Sequence, residues 1–172
     1  MPPRIASALS CACLVVLLIG CGGGTDLDVA KGRYRLVVEG GLADTLTGPA
    51  IVQSHRNGRV GIELGTRDGP GLSLEVSLPD RSADVPGLSA RRYDVVAMSL
   101  LDGPSADSLS GLMAFLSVAN HEFIATQGHL SVSEVGNGTV GGTLEFKMAE
   151  QGGDTPAERF VQVTGVLRVT RP

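Results

Sequence analysis

Leu72-Ser73-Leu74-Glu75-Val76-Ser77-Leu78 alternates apolar and polar side chains at every step. Successive side chains on a β-strand point to opposite faces, so this period describes a strand with one buried and one wetted side. Upstream, Val60, Ile62 and Leu64 carry the same period. They follow Asn57-Gly58, a hairpin signal, because both central positions of a tight turn of this kind need positive φ. Leu46 to Gln53 is a further run, with Gly48-Pro49 marking an irregular start or an edge. Tyr34, Leu36 and Val38 alternate with Arg33, Arg35 and Glu39 until Gly40-Gly41 ends the run.

Downstream, Pro79 to Ser89 reads as a loop, Arg92 to Leu101 as a strand around Tyr93, Val95 and Val96, and Asp102 to Ser110 as a second polar loop. Leu112, Ala114, Leu116 and Val118 mark another strand, and Phe123 to Thr126 one more. His129 to Val135, Gly136-Asn137-Gly138 and Thr139 to Ala149 spell a second tight hairpin, and Gly141-Gly142 inside its return strand predicts a bulge. Gln151 to Pro156 is a loop, and Val161, Val163, Leu167 and Val169 then share one face. No window holds a helical period of useful length. About eight to ten short strands joined mostly by short turns predict an all-β fold, an antiparallel meander forming a sandwich or a barrel.

The N-terminus is built differently. Arg4 follows two prolines, and Ile5 to Ile19 is apolar or small and uncharged. That is shorter than the roughly 18–20 apolar residues a spanning helix needs, and it suits a signal peptide. Leu18-Ile19-Gly20-Cys21 resembles the lipobox of a bacterial lipoprotein signal peptide. The resemblance implies cleavage between Gly20 and Cys21 and lipidation of Cys21. The expected organisation is a signal peptide over residues 1–20, a lipidated cysteine with a flexible tether over 21–30, and a single β domain over 31–172. Two or three acyl chains hold a membrane far more firmly than one, so permanent anchoring in the cell envelope is expected. Gly22 is not the aspartate that resembles an inner-membrane retention signal, which favours the outer membrane where there is one.

Composition narrows the partners. The cysteines are Cys11, Cys13 and Cys21, so the mature domain has no thiol for a disulfide or a metal. Losing residues 1–20 removes Arg4 and no acid, taking the net charge from −4 to −5. The charges are interspersed, with no basic run longer than Arg91-Arg92. That argues against nucleic acid and against an anionic lipid surface bound through a polybasic patch. There is no tryptophan, and Phe115, Phe123, Phe146 and Phe160 fall in strand-like runs where core packing is expected.

The strands carry a further resemblance. Tyr34 to Gly40 followed by Leu46-Thr47-Gly48-Pro49-Ala50, then Gly128-His129-Leu130-Ser131-Val132, Val140-Gly141-Gly142-Thr143-Leu144-Glu145-Phe146 and Val161-Gln162-Val163-Thr164-Gly165-Val166-Leu167, are similar to segments of a group of uncharacterised bacterial lipoproteins. The resemblance implies an all-β lipoprotein and carries over no catalytic residue. The start motif of lipocalins needs a tryptophan that this chain lacks.

The sequence offers no catalytic, cofactor-binding or metal-binding residues. His55, His121 and His129 are no closer than eight residues to one another, although His121, Glu122 and His129 would meet if their strands paired. Gly87-Leu88-Ser89-Ala90-Arg91 departs from a nucleophile elbow at its last position, and no phosphate loop occurs. Asp102, Ser105 and Asp107 do not have the spacing of an EF-hand. Glu63, Glu75 and Glu145 alternate with core residues, so they are expected to face solvent. Asn137-Gly138-Thr139 matches a glycosylation sequon but reads as the turn itself. The function expected is a non-enzymatic, membrane-anchored scaffold or binding domain whose partner is an envelope protein or a small ligand. A barrel carrying a small apolar ligand is the first alternative, and an envelope hydrolase the second.

Overall fold

The computed structural model describes residues 28–55, 59–66, 69–78, 87–96, 111–152 and 159–170. Gly20 and Cys21, the Asn57-Gly58 turn, and Asp102, Ser105 and Asp107 lie outside them. Nine strands are present: β1 (Arg33–Gly40), β2 (Asp44–His55), β3 (Arg59–Gly65), β4 (Gly71–Ser77), β5 (Arg92–Asp94), β6 (Gly111–Val118), β7 (His121–Gly136), β8 (Thr139–Glu150) and β9 (Phe160–Thr170). Going round, β1, β2, β3, β4, β6, β7, β8 and β9 pair antiparallel with their neighbours, and β9 pairs back onto β1. The sheet is a closed eight-stranded barrel, not a sandwich. Closure removes the two edges that an open sheet would leave unpaired.

β5 is the exception to the ring. β6 and β7 pair only from Phe115↔Ile124 to Val118↔His121. Beyond that the strands part, and β5 fills the seam by pairing with His129–Ser131 of β7. Val96 N–H donates to the Leu112 carbonyl at 3.1 Å on the other side. Tyr93 is driven inward there, 1% exposed, with its hydroxyl bonded to Ser89. The strand read over Arg92–Leu101 is thus three residues long as described, and residues 97–110 lie outside the description.

Two expected strands prove to be one. Phe123–Thr126 and His129–Val135 are continuous within β7, which bends where the sequence suggests a break. Gly128 (φ +127°) absorbs the change of direction, and register shifts fall between Ala125 and Gln127 and between Val132 and Glu134. The bulge expected at Gly141-Gly142 therefore lies opposite them, in β7. The glycines permit it: a Cβ on Gly142 would run into the Ser131 carbonyl. The Asn137-Gly138 turn forms as read, with φ of +49° and +71°.

The inward positions of every strand make one core. Tyr34, Leu36 and Val38 of β1 meet Ile62, Leu74, Leu116, Phe123, Phe146, Leu167 and the rest. Two of the four phenylalanines are not part of it. Phe160 is 39% exposed, and Phe115 is only half-buried on the outer face. Strand parity explains both: Phe160 precedes inward Val161, and Phe115 lies between inward Ala114 and Leu116.

The barrel has two distinct ends. The chain enters at Lys31, beside the β7–β8 turn and the end of β9. The β1–β2, β3–β4, β6–β7 and β8–β9 connections gather at the far end.

Candidate functional site

Three places on this barrel were candidates for binding: the interior, the far mouth and the outer wall. The interior is filled. Among the described residues, the inward core side chains from Tyr34 to Val169 are at most 7% exposed, with Ala125 and Val95 partly buried against them, and Leu36, Ile62, Leu74, Leu112, Leu116, Leu130, Phe146 and Leu167 are at 0%. A chamber large enough for water would leave accessible surface on its walls, and these walls have almost none. Eight strands enclose just enough width for side chains or one small ligand, and here the side chains take it.

The far mouth is closed by a polar group that sequence reading did not assemble. His121, Glu150 and Arg159 have the parity of Phe123, Met148 and Val161, so they lie over the end of the core. His121 Nδ1 is 2.6 Å from Glu150 Oε1. Arg159 Nη1 lies 3.0 Å from His121 Nε2, and its Nε is 3.7 Å from Glu150 Oε2. The same Nη1 is 3.2 Å from His121 Nδ1, so the guanidinium lies over the face of the ring. Arg159 also crosses Gly41, where a Cβ would collide with its Cγ. These residues are 29 and 38 positions from His121, and only the β7–β8–β9 pairing brings them together.

The outer wall holds a groove of about 710 Å³ that crosses β1, β9, β8 and β7. Phe160 supplies its apolar floor, with Lys147 Nζ 5.2 Å above the ring. Glu39, Gln127, His129, Glu145 and Gln162 line it.

The other sequence candidates scatter. His121 and His129 lie on the same strand, about 25 Å apart at the usual rise per residue, so they do not share a site. His55 ends β2, on another wall. Among the described residues no group of three histidine, aspartate or glutamate side chains could hold a metal. Glu75 accepts from Arg59 at 2.7 Å, Ser73 donates to Glu63 at 3.0 Å, and Glu145 is exposed, all on the outer face. Ser89 bonds Tyr93, and Arg92 bonds Asp94 at 2.7 Å.

Two ionisable groups at the entry end are shifted. Burial pushes the Tyr34 hydroxyl above its ordinary value of 10.0, with Arg33 opposing. The fold keeps that proton where the unfolded chain releases it, so this contribution is complete below pH 10 and is lost as pH rises through the folded value. The hydrogen bond from Arg168, at 2.9 Å, holds Glu134 below its ordinary 4.5. Arg168 reaches it by passing over Gly141, which has no side chain in the way. Here stability is present above pH 4.5 and is lost as pH falls through the folded value. In urea titrations, Tyr34→Phe is expected to flatten the alkaline limb of stability and Glu134→Gln the acid limb. A limb unchanged from the parent protein would remove the corresponding assignment.

No protein-family model, no curated protein and no solved structure matches this chain.

Proposed function

We propose that this chain is a membrane-anchored cell-envelope lipoprotein whose barrel is a non-catalytic scaffold or binding domain, engaging its partner from the outer surface. The filled interior carries this reading, because it leaves the walls and rims for recognition. The closed eight-stranded ring supports a second reading, a carrier of a small apolar ligand, but occupied inward positions weigh against it. A hydrolase reading has the His121–Glu150–Arg159 group as its starting point. His121 Nδ1 is held there by Glu150 at 2.6 Å.

The anchor is tested at Cys21. In cells fed labelled palmitate, the parent protein is expected to carry label and to fractionate with membranes. Cys21→Ser is expected to lose the label and to release the protein or leave it unprocessed. Labelling of the variant equal to the parent would overturn the lipoprotein reading.

A further inference from the structure

Lys31, Arg33 and Arg35 fall within five residues, and the barrel adds Arg168 to the same wall. Alternation along β1 places Arg33 and Arg35 on its outer face, where both are exposed. Register sets Arg168 of β9 beside Arg33. Lys31, also exposed, precedes the strand and is close enough to act on Glu134. The outer positions flanking these cations are neutral: Thr47 and Pro49 on β2, Val166 and Thr170 on β9. Among the described residues Glu134 pairs with Arg168, Glu39 lies further along the outer face of β1, and no ion pair involves Arg33 or Arg35. A protein of net charge −4 therefore presents a positive patch at the entry end of this wall.

The same wall receives the incoming chain. Gly32 N–H donates to the Arg168 carbonyl at 2.6 Å, and Ala50 N–H donates to the Gly32 carbonyl at 2.9 Å. Nine residues lie between Cys21 and Lys31, so the ten steps from one to the other reach at most about 35 Å when fully extended. A lipid on Cys21 would hold these cations within that distance of a bilayer, and electrostatic attraction acts over the last ~10 Å.

We propose that the outer wall of β2, β1 and β9 around Arg33 and Arg35, at the entry end of the barrel, docks on anionic phospholipid headgroups. The inference rests on the lipoprotein reading. Each exposed cation near such a surface favours the docked state about five-fold, so Arg33→Gln with Arg35→Gln lowers the docked-to-undocked ratio about twenty-five-fold.

The test uses the lipidated full-length protein in vesicles of phosphatidylcholine with or without ~30% phosphatidylglycerol. A fluorophore is placed at Thr47→Cys on this wall or at Ser117→Cys on the opposite one, and it is quenched by spin-labelled lipid. The expected result is quenching at position 47 well above that at 117, only with the anionic lipid, and lost in ~0.5 M salt or in the double arginine variant. Equal quenching at the two positions, or none that depends on lipid charge, in protein that floats with the vesicles overturns the inference and leaves the anchor standing. Shielding at 47 that follows protein density instead of lipid charge assigns the wall to a second copy and also overturns it. Failure to float in either lipid overturns the anchor, and the docking inference with it.

Discussion

Gly128→Val is expected to leave the chain unable to close its barrel. Gly128 lies in the middle of β7 with φ +127°, a conformation that a β-branched residue does not adopt. An added Cβ would strike the Glu145 carbonyl and lie 2.7 Å from the Phe146 Cα, both on the adjacent backbone of β8. Backbone flanked on both sides by paired strands cannot retreat. The β7–β8 ladder is the longest in the molecule, so separating it at this point costs the strand pairing and Phe146 burial together. A loss of at least about 4 kcal/mol is expected, a large fraction of the ~5–15 kcal/mol that holds a typical domain folded. Gly136→Ala is the control, because nothing lies within 4 Å of the Cβ it would add. Urea unfolding of both proteins decides the point. Gly136→Ala should stay within about 0.5 kcal/mol of the parent. A soluble, cooperatively unfolding Gly128→Val protein would show that the bend of β7 is not fixed by this residue.

Phe146→Ala is expected to lower stability by about 3–5 kcal/mol and to convert a filled barrel into one with an apolar chamber. Phe146 is completely buried, and its neighbours across the ladders are Gly128 and Val163, both too small to fill the space left. A cavity lined by leucine, valine and phenylalanine stays dry and takes up a small apolar molecule. The parent protein is therefore expected to bind neither benzene nor xenon, and Phe146→Ala to bind both, seen as ligand-dependent rises in melting temperature. Uptake by the parent protein would show room inside and would favour the carrier reading over the scaffold.

The two variants separate two kinds of information. Period-two alternation is local: each apolar residue in Leu72–Leu78 declares its face without reference to any other strand. For that reason the all-β class, most strand positions and the Asn137-Gly138 turn were legible from the chain alone. Parity also contained the outward placement of Phe115 and Phe160, although aromatic character suggested a core role. The resemblance of Leu18-Ile19-Gly20-Cys21 to a lipobox is likewise a local reading.

What the tertiary structure decided depends on register, which is a relation between strands distant in the chain. Whether the sheet closes is settled by β9 pairing with β1, more than a hundred residues earlier, and no stretch of sequence states it. The continuity of β7 follows from Gly128 bending against β8, whereas the glycine alone reads as an end. The meeting of His121, Glu150 and Arg159 at the far mouth, and the placing of Arg168 beside Arg33, are products of the same pairing. Local alternation fixed the face of each side chain, and only the cross-strand register fixed its neighbours.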